Sequence, residues 1–341
     1  RMWHVETDFF ALAVFMIMLL KEHSLKKEKR DVPGRAFYYV LIFSILYDCI
    51  YHSAPIILAV LGGLFAYKAN VLNIALEGMM LNGALFSVLT FYFTRNFAFA
   101  LLVCLLTTLL YGLIFAFFGV TMKGNVIIVG LAINMMSTAV AGFILVMMKS
   151  SNIIIPEFDV NALKLNIPII KDIPFLGPIL SGHPVLTYVS FLLIFLTSLL
   201  MYHTRFGVYV RVVGESEDAA KAIGLRVDLY KYAAILLGAV GCGLAGMNLA
   251  LDRLGLFTNS MTAARGFIAL AAIYCGRGKP VESSLYAILF GLSRSLAVNL
   301  SVYAGEASGL FDCFPYLLMI VVLGVASYVK YKNTKVRGFQ V

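Results

Sequence analysis

Apolar residues recur along the chain in runs of helix length, separated by short polar islands. A bilayer forces every backbone polar group to pair within its own segment, so such runs are typical of membrane-spanning helices. Counting short and broken segments, the pattern predicts an all-α polytopic integral membrane protein with about 9–11 transmembrane helices. The candidate spans are residues 8–20, 36–51, 53–67, 72–93, 97–118, 126–148, 184–203, 232–250, 263–276, 282–300 and 312–328.

The polar islands divide unevenly between the two sides of the predicted membrane. One side holds 21–35, 68–71, 119–125, 204–231, 277–281 and 329–341, with nineteen of the 27 lysines and arginines. The positive-inside rule makes this side cytoplasmic and places the C-terminus there. We therefore predict a short anchor span and a basic cytoplasmic loop over residues 1–35, followed by a transmembrane domain over residues 36–341.

Composition agrees with this class of protein. The chain is 61% hydrophobic and 13% charged, with a mean hydropathy of +0.90, whereas soluble domains are about 25% charged. A soluble helical bundle would need polar helix faces, and these are missing. The net charge of +9 follows from the basic loops, so it indicates no nucleic-acid partner.

Two predicted loops are long. The first, 149–183, falls on the extracytoplasmic side and carries four prolines, which suits either an ordered cap that contacts a partner or an inert connector. The second, 204–231, is cytoplasmic and contains "SEDAAKAIG". Ser216 is a good N-cap, Asp218 lies at the positive end of the helix, and Gly224 closes it. Two helical turns are marginal alone in water, so other contacts must hold them.

The surface of that short helix allows two interpretations. Ala219, Ala220 and Ala222 leave it smooth, so it either enters a groove on another protein or forms a plain surface turn.

Glu77 lies within "NVLNIALEGMML", at the start of a membrane segment. A carboxylate at membrane depth costs roughly 2.5–3.5 kcal/mol even on insertion scales. Asn73 is a helix-capping residue one turn earlier, so a helix can restart there with Glu77 on the same face. Three roles stay open for Glu77: a solute ligand in the pathway, a clasp to Arg265 or Arg294, or a proton relay.

Further polar residues lie inside the predicted spans. Asn134 is a candidate for the solute pathway or for a hydrogen bond between helices. Arg294 is charged within its span and is a candidate site residue that needs an acid partner. The glycines of "GAVGCGLAGMN", residues 238–248, are spaced for close helix packing.

Several kinds of chemistry are excluded for this chain. No GxxxxGK[ST] phosphate loop occurs, so we expect ATP and Mg²⁺ to bind elsewhere. The five cysteines are scattered singly, and the five histidines show no ligand spacing, so we predict no metal site. We also expect no bound cofactor and no enzyme activity in this chain, as in a transport subunit.

Three motifs resemble one family. "RVVGESEDAAKAIGLRV" is similar to the coupling-helix loop of permeases in the ribose, nucleoside and branched-chain amino-acid branch of ATP-binding-cassette (ABC) importers, although Ser216 replaces the usual Asn. "NVLNIALEGMMLNGA" and "MTAARGFIALAAIYCGRGKP" resemble motifs of the purine-nucleoside subgroup, whose importers use a basic membrane lipoprotein. Gly278 stands where that subgroup usually has Trp. The resemblance covers roughly residues 53–330.

The resemblance implies a nucleoside permease in a bacterial cytoplasmic membrane. It implies a cytoplasmic ATP-binding subunit, a second permease that is identical or paralogous, and an extracytoplasmic solute-binding lipoprotein. It places Asn73 and Glu77 where membrane helices are interrupted around the translocation route. Together with Asn134, Arg265 and Arg294, they are the candidates for the substrate pathway or for a helix clasp. The residues it implies for coupling to the ATPase are Arg211, Gly214, Glu215, Asp218, Ala219, Ala220 and Gly224.

Three alternatives remain at this point. One is a proton- or sodium-coupled secondary transporter that uses Glu77 and Asp48. Another is an ABC permease for sugars or branched-chain amino acids, and the third is a membrane scaffold that transports nothing.

Overall fold

A computed structural model describes residues 34–158, 163–165, 177–301, 308–311 and 313–337. The chain divides into two units, Arg1–Ser44 and Ile45–Val341. The predicted anchor span 8–20 and most of the basic loop that follows it lie outside the described residues. The predicted all-α class is confirmed: the described residues are predominantly helical, and their few strands are two or three residues long.

The described elements run in the following order. The helices are α1 Gly34–Lys68, α2 Leu76–Thr94, α3 Phe97–Ala116, α4 Val126–Met147, α5 Gly177–Leu180, α6 Val185–His203, α7 Arg205–Glu215, α8 Glu217–Ala222, α9 Val227–Ala250, α10 Arg265–Cys275, α11 Pro280–Ser301, α12 Ser308–Phe311 and α13 Phe314–Arg337. A π-helical turn, Phe117–Thr121, follows α3. The strands are β1 Asn152–Ile154, β2 Lys164–Leu165, β3 His183–Pro184 and β4 Leu256–Thr258.

Seven helices in the described part of the chain are long and apolar enough to cross a membrane. They are Leu41–Lys68 of α1, α2, α3 with its π-helical turn, α4, α6, α9 and α11. The predicted span 263–276 is the eleven-residue helix α10. At 1.5 Å per residue it extends only about 16 Å, so this helix alone is too short for a ~30 Å hydrocarbon core.

The predicted break between spans 36–51 and 53–67 is wrong, because α1 continues through that point. Ser53 donates to the carbonyl of Ile50 and is fully buried. A Cβ on Gly291 of α11 would lie 2.6 Å from the Cβ of Ser53, so the two helices are in close contact there. This packing holds α1 helical despite Pro55. Joining the two predicted spans removes one membrane crossing. Alternation of spans therefore no longer places the basic island 21–35 on the same side of the membrane as Lys68.

The loops that the structure describes in the unit Ile45–Val341 lie at two ends of it. At the Lys68 end, Lys68 Nζ donates to the carbonyl of Arg277 at 2.9 Å, and a Cβ on Gly214 would overlap the Lys68 carbonyl. At the Arg95 end, Arg95 Nη1 donates to the carbonyl of Pro156 at 2.7 Å. Strand β1 pairs antiparallel with β4 there, and β2 pairs with β3.

Glycines bring the central helices α1, α2 and α9 close together, as their spacing in the sequence predicts. A Cβ on Gly83 would lie 2.8 Å from the backbone of Gly243, and one on Gly241 would lie 2.6 Å from the Cα of Gly62. Small residues at helix contacts of this kind allow dispersion and backbone contacts to hold helices together in lipid. In contrast, α3 exposes Leu102, Leu106 and Leu110, one turn apart, along one face.

Candidate functional site

The chain is not helical between α1 and α2, and two asparagines satisfy the backbone where α2 begins. Asn73 Oδ1 accepts from the N–H of Ala75 at 3.0 Å. Asn134, on α4, accepts from the N–H of Gly78 at 2.8 Å and donates to the carbonyl of Ile74 at 3.1 Å. These bonds replace partners that a helix start lacks. Asn134 therefore makes a hydrogen bond between helices at this junction.

Glu77, in the first turn of α2, binds the beginning of α10. Its Oε1 accepts from the N–H of Ala264 at 2.9 Å, and its Oε2 accepts from the N–H of Gly266 at 2.6 Å. A carboxylate at a helix N-terminus is favoured by the helix dipole, and hydrogen bonds to an ionised acceptor are the stronger kind. Only a glycine fits at 266, because a Cβ there would lie 2.5 Å from the Glu77 backbone nitrogen. Glu77 thus joins the start of α2 to the start of the short helix α10.

The partner of Glu77 differs from the one considered in the sequence. A clasp to Arg265 or Arg294 was one of the hypotheses, but the groups that donate to Glu77 are backbone N–H groups next to Arg265. Arg265 Nη1 itself donates to the carbonyls of Met261 and Thr262, at 3.0 and 3.1 Å. One feature of the sequence could have indicated this contact: Gly266 directly follows Arg265 at the start of a short apolar run, and a glycine there allows another backbone to approach closely.

A pocket lies beside this junction, between α1, α10, α11 and α13. Arg265 and Arg294 both line it, together with Tyr316. Tyr316 donates to the carbonyl of Ala263 at 2.8 Å, which ties α13 to the turn before α10. The rest of the lining is mostly apolar: Ile56, Ala263, Ile268, Phe290 and Pro315. The cavity has a volume of about 20 Å³, room for about one water molecule, so a larger solute would need the surrounding helices to move apart.

A second acid caps a helix at the Arg95 end, and the sequence analysis missed it. Asp252 Oδ2 accepts from the N–H of Leu186, in the first turn of α6, at 3.1 Å and from Asn248 Nδ2 at 2.9 Å. Asp252 is fully buried. Desolvation raises the pKa of its carboxyl to about 6, although the hydrogen bonds from Asn248 and Leu186 favour the ionised form. The signal in the sequence was an Asp–Arg pair at the end of an apolar run.

This raised pKa makes the stability contribution of Asp252 depend on pH. The folded protein holds the proton that the unfolded chain releases at about pH 4, so the contribution is present in acid and is lost as pH rises through about 6. An asparagine at position 252 carries no titrating proton, so the wild type alone loses this contribution as pH rises. From pH 4.5 to 7.5 we expect the free energy of unfolding of Asp252→Asn to rise by on the order of 2 kcal/mol relative to that of the wild type. Unfolding of both proteins in detergent at the two pH values measures this, and a constant difference would contradict it.

The predicted cytoplasmic helix is present as α8. Ser216 Oγ accepts from the N–H of Ala219 at 3.3 Å, and Gly224 has a φ of 81° as expected of a C-terminal glycine. Glu217 forms an ion pair with Lys231 of α9. The hydrogen bond from Lys231 Nζ within this ion pair lowers the pKa of the Glu217 carboxyl. These contacts supply the support that two helical turns need.

One expectation about α8 is wrong. Ala220 does not share an outward face with Ala219 and Ala222, because it is fully buried and packs in a small cluster with Val213 and Val227. Glu215, Asp218, Ala219, Ala222 and Gly224 are exposed. The outward surface also includes Ile223, whose side chain is 67% exposed.

The two other residues of the predicted coupling set lie on α7. Arg211 Nε donates to the carbonyl of Gly207 at 3.4 Å, and its guanidinium lies 5.2 Å from the ring centroid of Tyr202. Gly214 packs directly against the backbone of Lys68 and Ala69, at the start of the segment that leads to Asn73. The structure therefore brings the loop of α7 and α8 into contact with the segment between α1 and α2.

Comparison with known proteins adds a family match. A family model described as "Branched-chain amino acid transport system / permease component" matches residues 45–323. The nucleoside ABC transporter permease protein NupC of Lactococcus lactis is 32% identical over 293 residues, 82% of this chain and 91% of the relative. The guanosine ABC transporter permease protein NupQ of Bacillus subtilis is 32% identical over 283 residues, 79% and 85% of the two chains.

A more distant relative carries a different solute in its name. The putative glucose ABC transporter permease protein TsgC13 of Haloferax volcanii is 27% identical over 297 residues, 80% of this chain and 88% of the relative. No solved structure matches the chain.

Proposed function

The chain belongs to the family of permease components of branched-chain amino acid transport systems, and from this premise we propose that it is the membrane-spanning permease of an ABC importer for nucleosides. The observation that carries the solute class is the 32% identity, over about four fifths of the chain, to two permeases named for nucleosides or guanosine. The lower identity to a glucose permease favours nucleosides over sugars. The seven apolar helices agree with a multi-pass membrane protein.

In this proposal ATP is hydrolysed on separate cytoplasmic subunits. The 341 residues contain no phosphate-binding loop, so the energy must reach this chain through a protein contact. A second permease, identical or paralogous, completes the pore, and an extracytoplasmic solute-binding lipoprotein delivers the nucleoside. The Lys68 end and the C-terminus face the cytoplasm.

The contacts at the Lys68 end support a route from the ATPase to the candidate site. The ATPase binds α8, and α7 transmits the displacement through the contact of Gly214 with Lys68. The segment that follows Lys68 leads to Asn73, which accepts from the N–H of Ala75, and to Glu77, which accepts from Ala264 and Gly266 at the start of α10, beside the pocket. A rigid-body shift of these packed elements would switch access to the pocket between the two sides of the membrane.

Proteoliposomes test the proposed function directly. They contain the permeases and the ATPase, are loaded with ATP, and are supplied with the solute-binding protein and radiolabelled inosine. We expect accumulation that stops without ATP and persists when an ionophore collapses the proton and sodium gradients. Accumulation that follows an ion gradient and ignores ATP would replace this proposal with the secondary transporter. No accumulation of any nucleoside would refute the solute class.

Substitutions on α8 test the contact with the ATPase. We expect Ile223→Asp to abolish co-purification of the ATPase in detergent, because the side chain is 67% exposed and lies in the proposed contact. The same change should alter the stability of the permease by no more than about 0.5 kcal/mol, as is usual for surface positions.

Ala220→Glu is the matched comparison within α8, three residues before Ile223, which directly follows the helix. Because Ala220 is fully buried against this chain's own Val213 and Val227, we expect this variant to lose stability itself, by about 1–3 kcal/mol. Normal ATPase binding by Ile223→Asp would remove this surface as the contact.

A further inference from the structure

Arg253, in the turn between α9 and β4, is a buried cation with donors that bind nothing. Its side chain is 4% exposed, and neither Nε nor Nη2 has a hydrogen-bond partner. Burial lowers the pKa of the guanidinium to about 10, so it is still charged at neutral pH. Leaving buried donors unpaired is costly, and more so for a charged group. The arrangement is explained if a ligand supplies the missing acceptors.

The two open donors define the shape of that ligand. Nε–H and Nη2–H point from the same edge of the planar guanidinium, which forms a fork for two adjacent acceptor atoms. The face of the same guanidinium lies 3.8 Å from the ring centroid of Tyr51. This stacking fixes the plane of the fork. The ligand must therefore present two neighbouring acceptors in one plane.

The charges around Arg253 balance. The positive charges of Arg253, Arg265 and Arg294 all act on the imidazole of His52, so the three arginines share one region. Three acids lie in the same region or beside it, and each is hydrogen bonded to the protein: Glu77 to α10, Asp252 to α6 and Asp48 Oδ2 to Asn299 Nδ2 at 2.8 Å. Among the residues that the structure describes, these three cations and three anions favour a neutral solute over an ion.

Arg253 is not among the residues that line the pocket described above, but the two share neighbours. The positive charges of both Arg253 and Arg265 act on the hydroxyl of Tyr51, and Arg265 lines the pocket. His52 lies one helical turn before Ile56, another lining residue, and its buried Nδ1 has no hydrogen-bond partner. The unsatisfied groups therefore surround one region between α1, the turn after α9, α10 and α11.

We propose that Arg253 is a specificity-determining residue for 6-oxopurine nucleosides. Its fork binds O6 and N7 of the base, as arginine binds the same edge of guanine in nucleic acids. Adenosine has an amino group in place of O6. That donor would face one of the two N–H donors of Arg253, and no hydrogen bond could form there. This inference rests on the proposed nucleoside import and adds the selectivity among nucleosides.

Uptake by variants in the ATP-loaded proteoliposomes is the first test. Inosine and adenosine form a matched pair, since they differ only in the group at C6 and in the proton that inosine carries on N1, away from the O6 and N7 edge. We expect wild-type uptake of inosine to exceed that of adenosine by on the order of 10-fold. Arg253→Lys keeps the charge but loses the fork, so the ratio should fall toward one. The same solute-binding protein supplies every variant, so a change of ratio arises in the permease.

Arg95→Lys is the control, because Arg95 is an arginine at the same end that binds a loop carbonyl and lies outside the proposed site. It should keep the wild-type ratio. Transport of both nucleosides at equal rates by the wild type would overturn the selectivity and leave the proposed function intact. A folded Arg253→Lys variant with the wild-type ratio would overturn the role of Arg253.

A second measurement uses only the wild-type complex of permease and ATPase, without the binding protein. Millimolar inosine should raise its melting temperature by mass action, whereas adenosine and 7-deazainosine, which lacks the N7 acceptor, should not. Equal stabilisation by inosine and 7-deazainosine would overturn the two-acceptor geometry. Stabilisation by inorganic phosphate and not by inosine would show that the site binds an anion, and this also would overturn the proposal.

Discussion

Glu77→Ala is expected to lower the free energy of unfolding of the purified permease by about 3–6 kcal/mol, since two hydrogen bonds to a charged acceptor are lost at about 1.5–3 kcal/mol each. The N–H groups of Ala264 and Gly266 would be left without their acceptor at the start of α10. Thermal or denaturant unfolding in detergent measures the loss. Uptake should fall with it, because α10 lines the pocket.

Glu77→Gln separates the helix-start contact from a charge pair. Gln keeps one acceptor oxygen for one of the two N–H groups, so we expect a loss about half as large as that of Ala. If an arginine were the essential partner, both variants would strand a buried cation and be similarly unstable. Equal losses for Gln and Ala would therefore contradict the assignment made from the hydrogen bonds.

Glu282→Gln is the control for this series. Glu282 also lies in the first turn of a helix, α11, but its side chain and that of its partner Lys279 are about half exposed. Exposed ion pairs contribute little, so the change should cost no more than about 1 kcal/mol.

Gly246→Ala should be the most damaging single methyl addition in the contact between α2 and α9. A Cβ at this position would overlap the carbonyl of Met80 and lie 2.6 Å from the backbone nitrogen of Ala84. Backbone atoms cannot move aside as a side chain can, so the helices must separate. We expect a loss of about 1–3 kcal/mol or more and a lower yield of folded protein.

Gly142→Ala is the matched control, since it makes the same change in a helix that crosses the membrane. A Cβ on Gly142 of α4 meets nothing within 4 Å. Replacing a helical glycine by alanine then gains up to about 1 kcal/mol. Wild-type stability of Gly246→Ala would show that α2 and α9 are farther apart than described here.

Two helices near the candidate site begin in the same way, with a side-chain carboxylate that accepts a hydrogen bond from a backbone N–H at the helix start. Glu77 binds the start of α10, and Asp252 binds the start of α6. In each case a residue distant in sequence supplies the acceptor that a helix start lacks inside the membrane domain. Arg253, with its open donors, directly follows Asp252 in the chain, and Arg265 of the pocket is the first residue of α10. Movement of either helix would change the geometry presented to a solute.

By itself the sequence determined the features that depend on local composition. Long apolar runs identified the membrane helices, because a span needs only enough apolar residues to match the bilayer. Ser216 and Gly224 marked the two ends of α8, since capping involves residues only a few positions apart. The glycines at 241, 243 and 246 indicated close packing, although not the helices they approach.

Only the tertiary structure decided which distant groups meet. The predicted break near His52 depended on local polarity, whereas packing against Gly291 of α11 keeps that segment helical. The partner of Glu77 lies 187 and 189 positions away, at Ala264 and Gly266. A partly buried carboxylate accepts from whichever donor packs beside it, and the sequence near Glu77 does not identify that donor. The burial of Ala220 and the open fork of Arg253 likewise follow from which helices surround them, because hydrogen bonding and exclusion of water are set by neighbours in space.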